Sequence, residues 1–260
     1  MKRYAINLSY DGTFFSGWQI QNEGRTIQDI LEKALTKIAK TGIKVVGSGR
    51  TDAGVHALNQ YAHFDFPINM TPLQIKYALR SLLPADIRIK NVFYARDDFN
   101  ARYDALGREY LYIITKERTP FNRFHKSFLP KMKLENVHNY PDIFKGRYDF
   151  SAFAKKNPDL DNYFCTITHF DIKKSGDDYI FRIRANRFLH NMVRRIVGTI
   201  LEASTKDIAV SNIKMLLSKH TSAQRSLMFT APPQGLYLAN VIYNEDFYEY
   251  DELFWLFAYV

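Results

Sequence analysis

Between Arg3 and Tyr10 the apolar side chains of Tyr4, Ile6, Leu8 and Tyr10 fall on every second position, the pattern of a strand with one buried face. A turn follows at Asp11-Gly12. The period then lengthens: Ile27, Ile30, Leu31, Ala34, Leu35 and Ile38 share one helical face, with Thr26 as N-cap and Gly42 as the stop. Ile43–Val46 and Leu58–Phe66 predict two more strands. Thr71-Pro72 starts a second helix that runs through Leu83 and ends at Pro84. Ile87–Tyr94 and Tyr110–Thr115 alternate as strands, whereas Thr119–Pro130, rich in proline, aromatic and basic residues, predicts a loop.

The second half repeats this rhythm. A strand over Phe164–Lys174, a turn at Ser175–Asp178 and a strand over Tyr179–Ala185 form a hairpin pattern. Phe188, Leu189, Met192, Val193, Ile196, Val197, Ile200 and Leu201 keep helical spacing. Ile208–Leu217 predicts a further helix and Gly235–Tyr243 a last strand. With a boundary near residue 104, the pattern predicts an N-terminal α+β domain over 1–104 and a C-terminal one over 105–260. Each carries a mainly antiparallel sheet with helices on one face.

Composition adds a partner class. Across 260 residues, 36 Lys and Arg against 27 Asp and Glu leave a net charge of +9, and 17 Tyr with 20 Phe make the chain rich in aromatics. Positive charge favours polyanions, and aromatic rings offer surfaces for bases, so nucleic acid is the expected partner. Acidic residues concentrate in the segment 244–260, which holds Glu245, Asp246, Glu249, Asp251 and Glu252 and no Lys or Arg. Its Phe254, Trp255, Leu256 and Phe257 are apolar enough to predict packing onto the body or a dimer contact. The single cysteine, Cys165, excludes an internal disulfide and a Cys-rich zinc site, and reads as a small buried hydrophobe in a reducing compartment. Asn7 and Asp11 interrupt the first apolar run too early for a signal peptide, and no apolar stretch is long enough to span a bilayer. A soluble, cytoplasmic protein is expected.

The stretch "GSGRTDAGVHA", Gly47–Ala57, concentrates the candidate chemistry. It fits a glycine turn in which Asp52 bonds its own backbone. A phosphate cradle is disfavoured, because the Lys-Ser/Thr of a Walker loop is absent and a strand follows instead of a helix. It also fits a catalytic carboxylate: a guanidinium such as that of Arg50, two residues away, favours the ionised form, and glycines allow close approach to a substrate.

Six blocks in order, "YDGTFFSGWQIQ", "TIQDILEKAL", "GRTDAGVHA", "REYLYII", "RFLHNMVRRIVG" and "APPQGLYLANVIY", resemble the TruA family of tRNA pseudouridine synthases, over Tyr4 to Tyr243. The resemblance implies two ferredoxin-like (RRM-like) halves with a basic cleft between them, a homodimer, and isomerisation of uridine to pseudouridine at tRNA positions 38 to 40 in the anticodon arm, with no metal or other cofactor. It assigns Asp52 as the nucleophile, Tyr110 as the aromatic that stacks on the target base, and Arg194 as the arginine paired with the nucleophile. Arg50, Thr51 and His56 are implied on the substrate side, Arg50 serving the flipped-out nucleotide. An apolar contact falls on Leu236 or Leu238, which share one strand face.

The residues alone leave alternatives. Tyr110 and Tyr112 lie on one strand face, so alternation does not separate them, and Tyr112 is taken as an inward sheet aromatic. Arg194 lies off the apolar helix face, a position equally suited to solvent. Arg195, further round, is expected to meet phosphate or solvent. His56 also fits a role of satisfying local hydrogen bonds, as does Gln60. Asn59 departs from the family pattern, which commonly has Gly there. A rival in another class is a tRNA-binding or folding protein on the same scaffold without turnover.

Overall fold

The computed structural model describes residues 1–155, 158, 160–217 and 229–244. Expectations for the acidic aromatic tail therefore lie outside the described residues, apart from Asn244.

The first half contains β1 (Lys2–Tyr10), α1 (Ile27–Ala39), β2 (Val46–Gly47), β3 (His56–Phe66), α2 (Pro72–Leu82) and β4 (Ile87–Tyr94). Thr26 caps α1 by accepting from the Asp29 N–H, and Thr71 with Gln74 forms a reciprocal capping box on α2. Helix α1 stops before Gly42, because Lys40 takes the left-handed position at φ 56°. The strand expected over Ile43–Val46 shrinks to the two residues of β2, for a local reason. Helix side chains take its backbone groups: Glu32 accepts from Val45 N, Gln28 donates to Val45 O, and Thr36 accepts from Ile43 N.

The second half contains β5 (Gly107–Thr115), β6 (Ser127–Phe128), 3₁₀ turns at Val137–Asn139, Pro141–Phe144 and Ser151–Phe153, and β7 (Gly146–Asp149). It continues with β8 (Phe164–Ser175), β9 (Asp178–Ala185), α3 (Met192–Thr205), α4 (Val210–Met215) and β10 (Leu236–Ile242). Helix α3 begins four residues later than its apolar spacing suggests, because Asn191 adopts a left-handed conformation at φ 65°.

Two sheets were expected, one per half. Instead, ten strands form one mostly antiparallel sheet in the order β4-β1-β3-β10-β5-β9-β8-β7, with β2 on β3 and β6 on β5. The halves meet where β10 runs parallel to β3, pairing Tyr237 with His56 and Leu238 with Ala57. Asn59 reinforces the seam by donating to Ala239 O, and its own carbonyl oxygen accepts from Lys90 Nζ.

All the longer helices cover one face. Tyr4, Ile6, Leu8, Tyr110, Tyr112, Leu236 and Leu238 join Leu31, Leu35, Ile75, Leu79, Ile196 and Ile200 in one continuous core. The alternate residues Leu111, Ile113, Ile180 and Ala239 form a smaller cluster on the opposite face. No described helix is long and apolar enough to cross a membrane.

Candidate active site

Residues 48–55 bridge β2 and β3 and are held from three sides. From β3, the fully buried Gln60 donates to Gly49 O and accepts from Ser48 Oγ at 2.6 Å. From the loop after β1, Trp18 N donates to Thr51 O, and Gly54 N donates to Phe15 O. Tyr10 and Thr51 share a hydroxyl hydrogen bond of 2.8 Å. From β5, Arg108 Nη2 donates to Ser48 O and Arg102 O, both at 2.7 Å, while Nη1 donates to Ala105 O. One guanidinium thus ties the connection between the halves to the loop that carries Asp52.

The Asp52 carboxylate meets two side chains from the other half. Arg194 Nη1 lies 3.1 Å from Oδ2, and His190 Nε2 lies 3.3 Å from Oδ1. Arg194 is aimed by its surroundings: Nε donates to Ala231 O at 2.7 Å, and Nη1 also donates to Asn191 Oδ1 at 3.2 Å. Asn191 spends its side chain on this contact rather than on capping α3. Helix α3 comes this close to residues 229–231 because Gly198 faces them; a Cβ there would overlap the Phe229 carbonyl.

Tyr110 is buried in the shared core and packs edge-on to Phe188, with ring centroids 5.0 Å apart. Burial raises its phenol far above the ordinary value, and the nearby negative charge of Asp52 pushes the same way. The phenol therefore stays protonated throughout the neutral range. Tyr112 separates from it through hydrogen bonding, since its hydroxyl bonds Ser127 Oγ and donates to Pro232 O. In the β5–β10 register Leu238 sits opposite Tyr110, and Leu236 opposite Tyr112.

Asp52, Tyr110, Arg194 and the two leucines thus belong to one region. Arg50 is exposed, and the cation on Asp52 is Arg194, the arginine that the resemblance implied. His56 is 2% exposed and stacks on Tyr237 at 4.7 Å; Nε2 donates to Phe124 O, and Nδ1 lies 3.1 Å from both Gly12 N and Asp11 Oδ1. Thr51 commits its hydroxyl to Tyr10. These two side chains brace the loop from within the protein. Arg195 also turns inward, donating to Ala154 O at 2.6 Å.

Sequence reasoning missed His190 and Arg108. Both lie inside quoted blocks, four residues before Arg194 and two before Tyr110, yet nothing in local periodicity marks them. Among the described residues, no group of three or more His, Cys, Asp or Glu side chains is placed to hold a metal ion.

The site thus joins a carboxylate on a glycine-bearing loop, an arginine from a distant helix and a buried tyrosine. The chain belongs to the tRNA pseudouridine synthase family, matched over residues 7–104 and 142–244. Among its relatives is the tRNA pseudouridine synthase A of Exiguobacterium sibiricum, 38% identical over 246 residues, 94% of this chain and 98% of that protein. The proteins of the same name from Bacteroides thetaiotaomicron and Bacillus licheniformis are 37% and 40% identical, covering 95% and 93% of this chain and 93% and 99% of their own.

Proposed function

We propose that this chain isomerises uridine to pseudouridine in tRNA, with Asp52 as the nucleophile. The observation that carries this is the Asp52–Arg194 pair, 3.1 Å apart and joining the two halves, in a chain of the tRNA pseudouridine synthase family. A carboxylate oxygen attacks the target nucleotide, the N1–C1′ bond breaks, the uracil turns, and C5 joins C1′. Arg194 orients the carboxylate and balances its charge before attack. Tyr110 supplies a fixed aromatic face for the base, and burial keeps its phenol protonated at neutral pH.

The finer parts of the proposal are the substrate position and the assembly. The targets are uridines 38 to 40 of the anticodon arm, extruded from their stack, with Arg50 at the exposed rim bracing the vacated space. The net charge of +9 suits a cleft that tracks an RNA backbone. Two ferredoxin-like halves, 1–104 and 105–260, fit the strand orders β4-β1-β3-β2 and β10-β5-β9-β8, each a βαββαβ arrangement in which the first helix of the second half is reduced to 3₁₀ turns. A homodimer working in the cytoplasm without cofactor completes the proposal.

Incubating Asp52→Asn with undermodified tRNA tests it. The expected result is loss of pseudouridine by at least ~1000-fold with tRNA affinity retained. Formation at the wild-type rate removes Asp52 from the mechanism. Wild-type protein that binds tRNA with a steep salt dependence and yields no product establishes the non-catalytic rival instead.

A further inference from the structure

We propose that His190 is the proton acceptor of the reaction, taking the hydrogen from C5 after the new C–C bond has formed. This rests on the uridine isomerisation proposed above. Once C5 is bonded to C1′ it still carries its original hydrogen, which must leave as a proton to restore the ring, while N1, freed from the sugar, must gain one. The C5–H electron pair returns to the ring, the proton passes to the imidazole nitrogen that carries no hydrogen, and the imidazole delivers a proton to N1. One proton leaves the base and one arrives, so no further reactant is needed. The step is the same whether attack begins at C1′ or at C6.

Geometry singles out His190. Its Nε2 lies 3.3 Å from Asp52 Oδ1, so a sugar carbon within bonding reach of that carboxylate places the attached base beside the imidazole. The side chain is 52% exposed, free to turn from the carboxylate to the substrate, while its backbone is pinned by Lys155 N donating to His190 O. The other groups around Asp52 do not suit the task. Arg194 is permanently charged and held by Ala231 O and Asn191. Tyr110 is buried and protonated. Among the described residues, the imidazole meets the Asp52 carboxylate, whose other oxygen is held by the Arg194 guanidinium. Of the side chains at Asp52, the imidazole is the one that offers both a lone-pair nitrogen and an N–H.

The experiment compares wild type, His190→Gln and His190→Ala in single turnovers on tRNA carrying 5-protio or 5-deuterio uridine, from pH 5.5 to 8.5. Gln retains a donor toward Asp52 Oδ1 and cannot take the proton, so it separates holding from proton transfer. Both variants are expected to melt like wild type and to slow product formation roughly 100-fold or more. They should also show a larger deuterium effect than wild type, and added imidazole should restore His190→Ala. Unchanged rates and isotope effects overturn the proposal, as does slowing confined to His190→Ala, or slowing of both variants with no change in isotope effect and no rescue by imidazole. Wild-type protein that makes no pseudouridine sinks the isomerase reading itself.

Discussion

Arg194 and Ala231 grip one another at both ends: Arg194 Nε donates to Ala231 O at 2.7 Å, and Ala231 N donates to Arg194 O at 3.1 Å. The side-chain bond leaves Nη1 facing Asp52, so the pairing of nucleophile and cation depends on a third segment, immediately before β10.

Arg194→Lys preserves the charge and loses the fork that serves Ala231, Asn191 and Asp52 together. Single-turnover pseudouridine formation is expected to fall by roughly 100- to 1000-fold, the cost of losing one oriented charge at a reacting centre. The Ala231 carbonyl also loses its donor, which should lower thermal stability by about 1–3 kcal/mol.

Gly17 has φ +95°, and a Cβ there would come within 2.5 Å of Thr51 O, on the residue before the nucleophile. Gly17→Ala should therefore destabilise the fold by at least ~1 kcal/mol and reduce activity through displacement of Asp52. Gly42→Ala is the control. Nothing lies within 4 Å of a Cβ at that position, so melting and turnover should match wild type.

Burial alone would raise the Asp11 carboxyl, but hydrogen bonds from His56 and Thr13 outweigh it and hold the group well below the usual carboxylate range. A folded-state value below the unfolded one contributes stability above the unfolded pKa, about 3.9, and that contribution fades as pH falls further. Asp11→Asn should melt below wild type at neutral pH, with the gap narrowing under about pH 4. Thermal melts of both proteins across pH 3 to 7 measure this; a constant gap contradicts it.

Burial raises the thiol of Cys165, which is 1% exposed. The native protein should resist a thiol-specific disulfide reagent for hours, and guanidinium should release one reactive thiol per chain. Rapid labelling of the folded protein would contradict its burial at the β7–β8 edge, where it pairs with Tyr148.

Much of the secondary structure was legible because it is written in short-range patterns. The alternation of Tyr4, Ile6, Leu8 and Tyr10 and the helical spacing from Ile27 to Ile38 each report one buried face, and β1 and α1 follow them. The segment Ile43–Val46 was misread because its backbone partners are the side chains of Glu32, Gln28 and Thr36, which alternation does not encode. Local pattern offered Arg50 as a neighbouring guanidinium, and only the resemblance of the ordered blocks pointed past it to Arg194, which the structure places 3.1 Å from Asp52.

The sequence by itself determined the alternating strands, the capped helices, the loop bearing Asp52 and, through its ordered blocks, the family. Tertiary structure alone decided that the ten strands join in one sheet at the β3–β10 seam, and that Tyr112 bonds Ser127 and Pro232 while Tyr110 feels the charge of Asp52. It alone also showed that Arg194 and His190 divide the carboxylate oxygens between them. The physical reason is range. Strand and helix periodicity arise between residues a few positions apart, whereas an ion pair across 142 residues exists only after the seam has closed and Ala231 has turned the guanidinium inward.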